Sequence, residues 1–151
     1  MYKSIKVFSL LTLMFLMMLS CNSSAQVNKK STDEITSISY RRTAGRGGSE
    51  SIVATKDSLI ASAAGRMAET YPNFKRKMNA TDWKKLVSMI NISTLKTLKS
   101  GEGRGHYDGP DVFYEIKTAD KTYSLVNVQD SVKGKQLDQV RDLLKKLTVA
   151  K

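Results

Sequence analysis

Between Gly101 and Asp111 the chain gathers residue types that chemistry uses. His106 is the only histidine in 151 residues, and Arg104, Asp108, Asp111 and Glu102 surround it. An imidazole beside a carboxylate can act as a general base, with Asp108 orienting His106. On that reading Arg104, His106 and Asp108 form a ligand site, and the chain is an exported hydrolase. Other chemistries fit less well. The G-x-G-x-G spacing runs into a strand pattern and not a helix, so it is no dinucleotide fingerprint. No Gly-Lys-Ser/Thr follows it, as a P-loop requires. Asp108 and Asp111 lack the spacing of an EF-hand calcium loop. No serine sits in a Gly-x-Ser-x-Gly setting, and a base needs a nucleophile within reach. Fourteen acidic residues make chance carboxylate pairs common, so a glycosidase pair is not specified. A solvated, glycine-rich connection accounts for the whole stretch. No catalytic residue is therefore assigned, and a non-enzymatic chain is the expectation. One cysteine and one histidine are too few for the usual zinc or transition-metal sites, so no metal and no cofactor are expected.

The second chemical feature is positive charge. Lys and Arg number 25 against 14 Asp and Glu, a formal net charge of +11. Two clusters stand out, Arg41-Arg42 with Arg46 and Lys75-Arg76-Lys77, with Tyr40, Tyr71 and Phe74 beside them. In a cytosolic protein such patches point to nucleic acid. The N-terminus argues against that partner.

Lys3 and Lys6 precede an apolar run from Val7 to Leu19. Thirteen helical residues reach about 20 Å, short of a bilayer core of about 30 Å. This is the h-region of an export signal over residues 1–20. Met18-Leu19-Ser20-Cys21 follows it. A small residue and then cysteine at that place resembles the lipobox of bacterial lipoproteins. The resemblance implies that Cys21 is lipidated and becomes the mature N-terminus. The alternative is a soluble periplasmic or secreted protein cut after Ala25. With Lys3 and Lys6 removed, 23 basic residues still face 14 acidic ones. Export makes lipid headgroups, anionic glycans or an envelope protein the partners within reach, and nucleic acid is not expected.

These features need elements to position them. Residues 21–34 read as the lipidated terminus and a polar tether, and residues 35–151 as one domain. Ile38 and Tyr40 alternate with serines and Arg41 as a half-buried strand does. Ala44–Gly48 is a turn, Ser51–Thr55 a second strand and Leu59–Ala63 a third. A fourth strand, or an extended connection, is expected over Arg66–Phe74. Thr81 reads as the N-cap of a helix whose stripe is Trp83, Leu86, Val87 and Ile90. A helical turn is expected near Ser93–Leu98. Val112, Tyr114 and Ile116, then Tyr123 and Leu125, predict a hairpin. A last helix runs from about Lys135 to Leu147, burying Leu137, Val140, Leu144 and Leu147.

The expected fold is α+β in two layers: an antiparallel sheet of five to six strands, meander plus hairpin, packed by two helices. A monomer is expected. The plan resembles small exported lipoproteins of outer-membrane bacteria, a family with no established activity. The basic charge and the export signal together lead to the expectation of a binding or accessory module at the periplasmic face of the outer membrane, recognising an anionic partner.

Overall fold

Along β1 (Ile35–Thr43) the buried residues are Ile35, Ile38 and Tyr40. A register shift between Ile35 and Ser37 brings the first of these onto the face of the other two. The structure is a computed structural model that describes residues 33–103 and 109–149. Strict alternation governs the next strands. In β2 (Ser49–Thr55) Glu50, Ile52 and Ala54 are buried, and in β3 (Ser58–Ala64) Leu59 and Ala61. β4 (Phe74–Lys77), β5 (Asp111–Thr118) and β6 (Thr122–Val126) complete an open, six-stranded antiparallel sheet in the order β4-β3-β2-β1-β5-β6. The α+β architecture read from the sequence is the architecture observed. The hairpin β5–β6 adds beside β1 and not beside β4, which makes β1 an interior strand.

The chain crosses from β4 to β5 through α1 (Ala80–Ser88) and the single turn α2 (Ile92–Leu95). The closing helix α3 (Lys135–Val149) buries Leu137, Val140, Leu144 and Leu147, as its spacing predicts. Trp83, Leu86, Leu95 and Met78 join these residues against Ile38, Ile52, Leu59, Ile116 and Leu125 in one core. Past the register shift between Ile35 and Ser37, every sheet residue of that core has the same strand parity. The other face, with Ser39, Ser51, Val53, Ile60 and Phe113, contributes nothing to it. The helices therefore cover one face and leave the second open.

Three expectations are corrected. The fourth strand is Phe74–Lys77, not Arg66–Phe74; Gly65–Glu69 is a 3-10 turn that buries Met67. Pro72 has no N–H to give a ladder. The Asn73 side chain replaces the next rung by accepting from the Ala63 N–H at 2.7 Å. The cap of α1 is Asn79, whose Oδ1 accepts from the Thr81 N–H at 2.8 Å. The Trp83 N–H already bonds the Asn79 carbonyl at 2.9 Å, so the first turn closes two residues before the expected cap. Finally, the helical turn expected near Ser93–Leu98 is α2, Ile92–Leu95, which begins one residue earlier and ends three sooner.

Candidate functional site

The loop that carries the most conspicuous chemistry is held at its two ends. Asn127, just past β6, has φ +45°, a conformation Asn tolerates better than most residues. Its Oδ1 accepts from the Val112 N–H at 2.8 Å. Its Nδ2 donates to the Glu102 carbonyl and to Asp111 Oδ1, each at 2.7 Å. Gly101 N–H bonds the Val126 carbonyl at 2.8 Å. One side chain thus ties both ends of the loop to the hairpin. Arg104, His106 and Asp108 themselves lie outside the described residues, as does Cys21.

The basic clusters are divided by strand geometry, because successive side chains point to opposite faces. Arg41 projects onto the open face, where its guanidinium carbon lies 4.1 Å from the centroid of Phe113. Together with Ser39, Glu115, Ser124 and Val126 this pair lines a shallow depression of about 270 Å³. Lys75 and Lys77 are exposed and share that face at the β4 edge. Lys117 joins them, paired with Glu115 at 3.1 Å. Arg42 points to the helix side, in register with Glu50. Arg76 does too, and its Nη2 donates at 2.7 Å to the carbonyl of Leu147 near the end of α3. Arg46 sits exposed in the Gly45–Gly47 turn. Of the six basic residues picked from sequence, Arg41, Lys75 and Lys77 share one surface. Arg76 instead ties β4 to α3.

A second polar centre lies under α3 and has no counterpart among the residues picked from sequence. Glu50 is 2% exposed. Its Oε1 accepts from the Tyr40 hydroxyl at 3.0 Å and from the Lys145 ammonium at 2.8 Å. That ammonium lies 5.3 Å from the ring centroid of Tyr40 and 5.4 Å from that of Tyr71. Burial, then the adjacent Glu50 carboxylate, push the Tyr40 phenol well above its ordinary value, so it stays a donor. Burial also pushes the neighbouring Tyr114 up to about 12, against the pull of Arg141. The ring centroids of Tyr40 and Tyr114 are 5.7 Å apart. A signal for this centre was present in the sequence. Glu50 occupies the apolar phase of β2, in step with Ile52 and Ala54.

Among the described residues, no three of His, Cys, Asp or Glu converge as a metal group, and no helix is long and apolar enough to cross a membrane. No protein-family model and no curated protein matches this chain.

Proposed function

We propose that the chain is a non-enzymatic module of the bacterial cell envelope. It is lipid-anchored through Cys21 at the periplasmic face of the outer membrane, and it binds an anionic glycan on the open face of its sheet. The observation that carries this reading is Arg41 laid over Phe113 in a depression that Ser39 and Ser124 also line, where the one carboxylate, Glu115, is paired with Lys117 at 3.1 Å. A guanidinium held against a ring keeps its planar fork turned outward for a carboxylate or phosphate. Lys75 lies three strands away, at about 4.8 Å per strand, so one extended acidic polymer can meet both. Hydroxyl groups along β1–β3 (Ser39, Ser51 and Ser62) suit sugar hydroxyls between the charges.

The test has two arms. Wild-type protein extracted from its native host should partition into a detergent phase and carry acyl mass at Cys21, and Cys21→Ala should be water-soluble. An intact mature N-terminus at Gln26 overturns the anchor. In the second arm, calorimetry should detect polygalacturonate and not neutral dextran. Arg41→Ala should weaken that binding about tenfold, roughly 1.4 kcal/mol. Unchanged affinity in Arg41→Ala removes the open face from the reading.

A further inference from the structure

Val53 and Ile60 are cross-strand partners on β2 and β3, on the face that the helices leave open. Both are half-buried, and neither belongs to the core. They form an apolar island among polar side chains. Ser51 and Ser62, paired across the same two strands, border it on one side. Thr55 and Ser58, whose hydroxyl oxygens lie 3.0 Å apart, border it on the other. In the island's own row, Ser39 stands opposite Val53 and Lys75 opposite Ile60. Arg41 lies diagonal to Val53, two residues along β1 from Ser39.

We infer, resting on the open-face reading above, that the acidic glycan of this face carries acetyl groups, and that Val53 and Ile60 receive an acetyl methyl between the anionic contacts at Arg41 and Lys75.

Strand order fixes the sequence of contacts. β1 and β4 are three strands apart, about 14 Å at about 4.8 Å per strand. β2 and β3 fill that interval, so a polymer that meets Arg41 and Lys75 together must cross Val53 and Ile60. Sugar hydroxyls pressed onto the island would lose water and find no donor or acceptor there. An acetyl methyl gains by leaving water at the same place. The acetyl carbonyl then lies within the border of hydroxyls, which can donate to it. Two side chains make a platform for one methyl and not for a long acyl chain, which would run on over Ser39 or Lys75. A second copy of this chain is the poorer occupant. It would bring another set of the same cations against Arg41, Lys75 and Lys77.

Polygalacturonate and the same polymer chemically O-acetylated share their chain and carboxylates and differ in the acetyl groups. Calorimetry on full-length wild-type protein should find the acetylated polymer bound at least about threefold more tightly, since one buried methyl is worth about fourfold. Val53→Thr with Ile60→Thr keeps both positions β-branched and strand-forming, and should bind the two polymers equally. Arg41→Ala should weaken both polymers alike and so keep the preference. Binding of the parent polymer with no preference for the acetylated one in wild type overturns the acetyl inference and leaves the open-face reading standing. Failure of both polymers to bind overturns the two together. A preference that survives Val53→Thr with Ile60→Thr puts the acetyl group elsewhere and overturns the inference. A wild-type dimer, seen by sedimentation, that becomes a monomer in the same variant assigns the island to a second copy and overturns it too.

Discussion

Tyr40 and Tyr114 are paired across β1 and β5, and both are almost wholly buried with their phenols protonated. Burial is the leading cause in each case, and it has a consequence for stability at high pH. In the unfolded chain a tyrosine ionises near about 10. Above that pH the unfolded state releases protons that the folded state keeps, so the folded state binds more protons and stability falls as pH rises. The contribution of each phenol is complete below about pH 10 and declines above it at up to about 1.4 kcal/mol per pH unit. For Tyr114 the decline ends near pH 12. Chemical denaturation of wild type and Tyr114→Phe at pH 8, 10 and 11 should therefore show a stability difference that stays constant up to about pH 10 and changes only at the alkaline end. The variant should lose stability less steeply, because lysine titration is common to both. Parallel curves would mean that Tyr114 ionises freely in the folded state. Tyr40→Phe should differ already at pH 8, since it also removes the hydroxyl that Glu50 accepts from at 3.0 Å.

The two 3-10 turns, Gly45–Gly47 and Gly65–Glu69, approach each other where β2 leaves the first and β3 enters the second. Gly48 has φ +97°, and a Cβ there would stand 1.9 Å from the Ala64 carbonyl oxygen. Gly65 has φ +65° and would set its own Cβ 2.8 Å from the Gly48 Cα. Gly48→Ala combines a left-handed backbone with a backbone clash, and should cost at least about 2 kcal/mol. Gly103→Ala is the control, since nothing lies within 4 Å of a Cβ at that position. It should change stability by less than about 0.5 kcal/mol, measured by urea denaturation. The glycine-rich stretch at 44–48 was legible as a turn, but not the contact of Gly48 with Gly65 in a second turn. That contact depends on the β2–β3 register, which pairs Ser49 with Ala64. The same limit explains the other differences. Periodicity located β1, β2, β3, the hairpin and α3, because burial on one face dictates residue types there. It misplaced β4 because Pro72 and Asn73 end the ladder through side-chain chemistry that alternation does not encode. It grouped Arg41 with Arg42 and Lys75 with Arg76 by adjacency, where a strand sends neighbours to opposite faces. Glu50 was overlooked because its partner Lys145 is 95 residues away.

Over the whole molecule, net charge and local geometry make different claims. A chain at +11, or +9 once Lys3 and Lys6 are removed, attracts polyanions from any side through its summed field. The open-face reading demands more, because only charges on that surface should matter at close range. The two-layer fold separates these claims. Lys84 and Lys85 are exposed on α1, while Trp83 and Leu86 turn inward to the core. A helix with its side chains is about 10–12 Å thick, and the Debye length at 0.15 M salt is about 8 Å. Charges on the solvent side of α1 are therefore screened from a ligand lying on the opposite face of the sheet. Arg41→Ala with Lys75→Ala and Lys84→Ala with Lys85→Ala each remove two positive charges. At 0.15 M salt the first pair should weaken polygalacturonate binding by more than about tenfold, and the second by less than about threefold. At 0.01 M, where the Debye length reaches about 30 Å, the two losses should draw together. Equal losses at 0.15 M would mean that the basic charge acts only as a diffuse field. The depression between Arg41 and Phe113 would then be a feature of the sheet with no claim on a ligand.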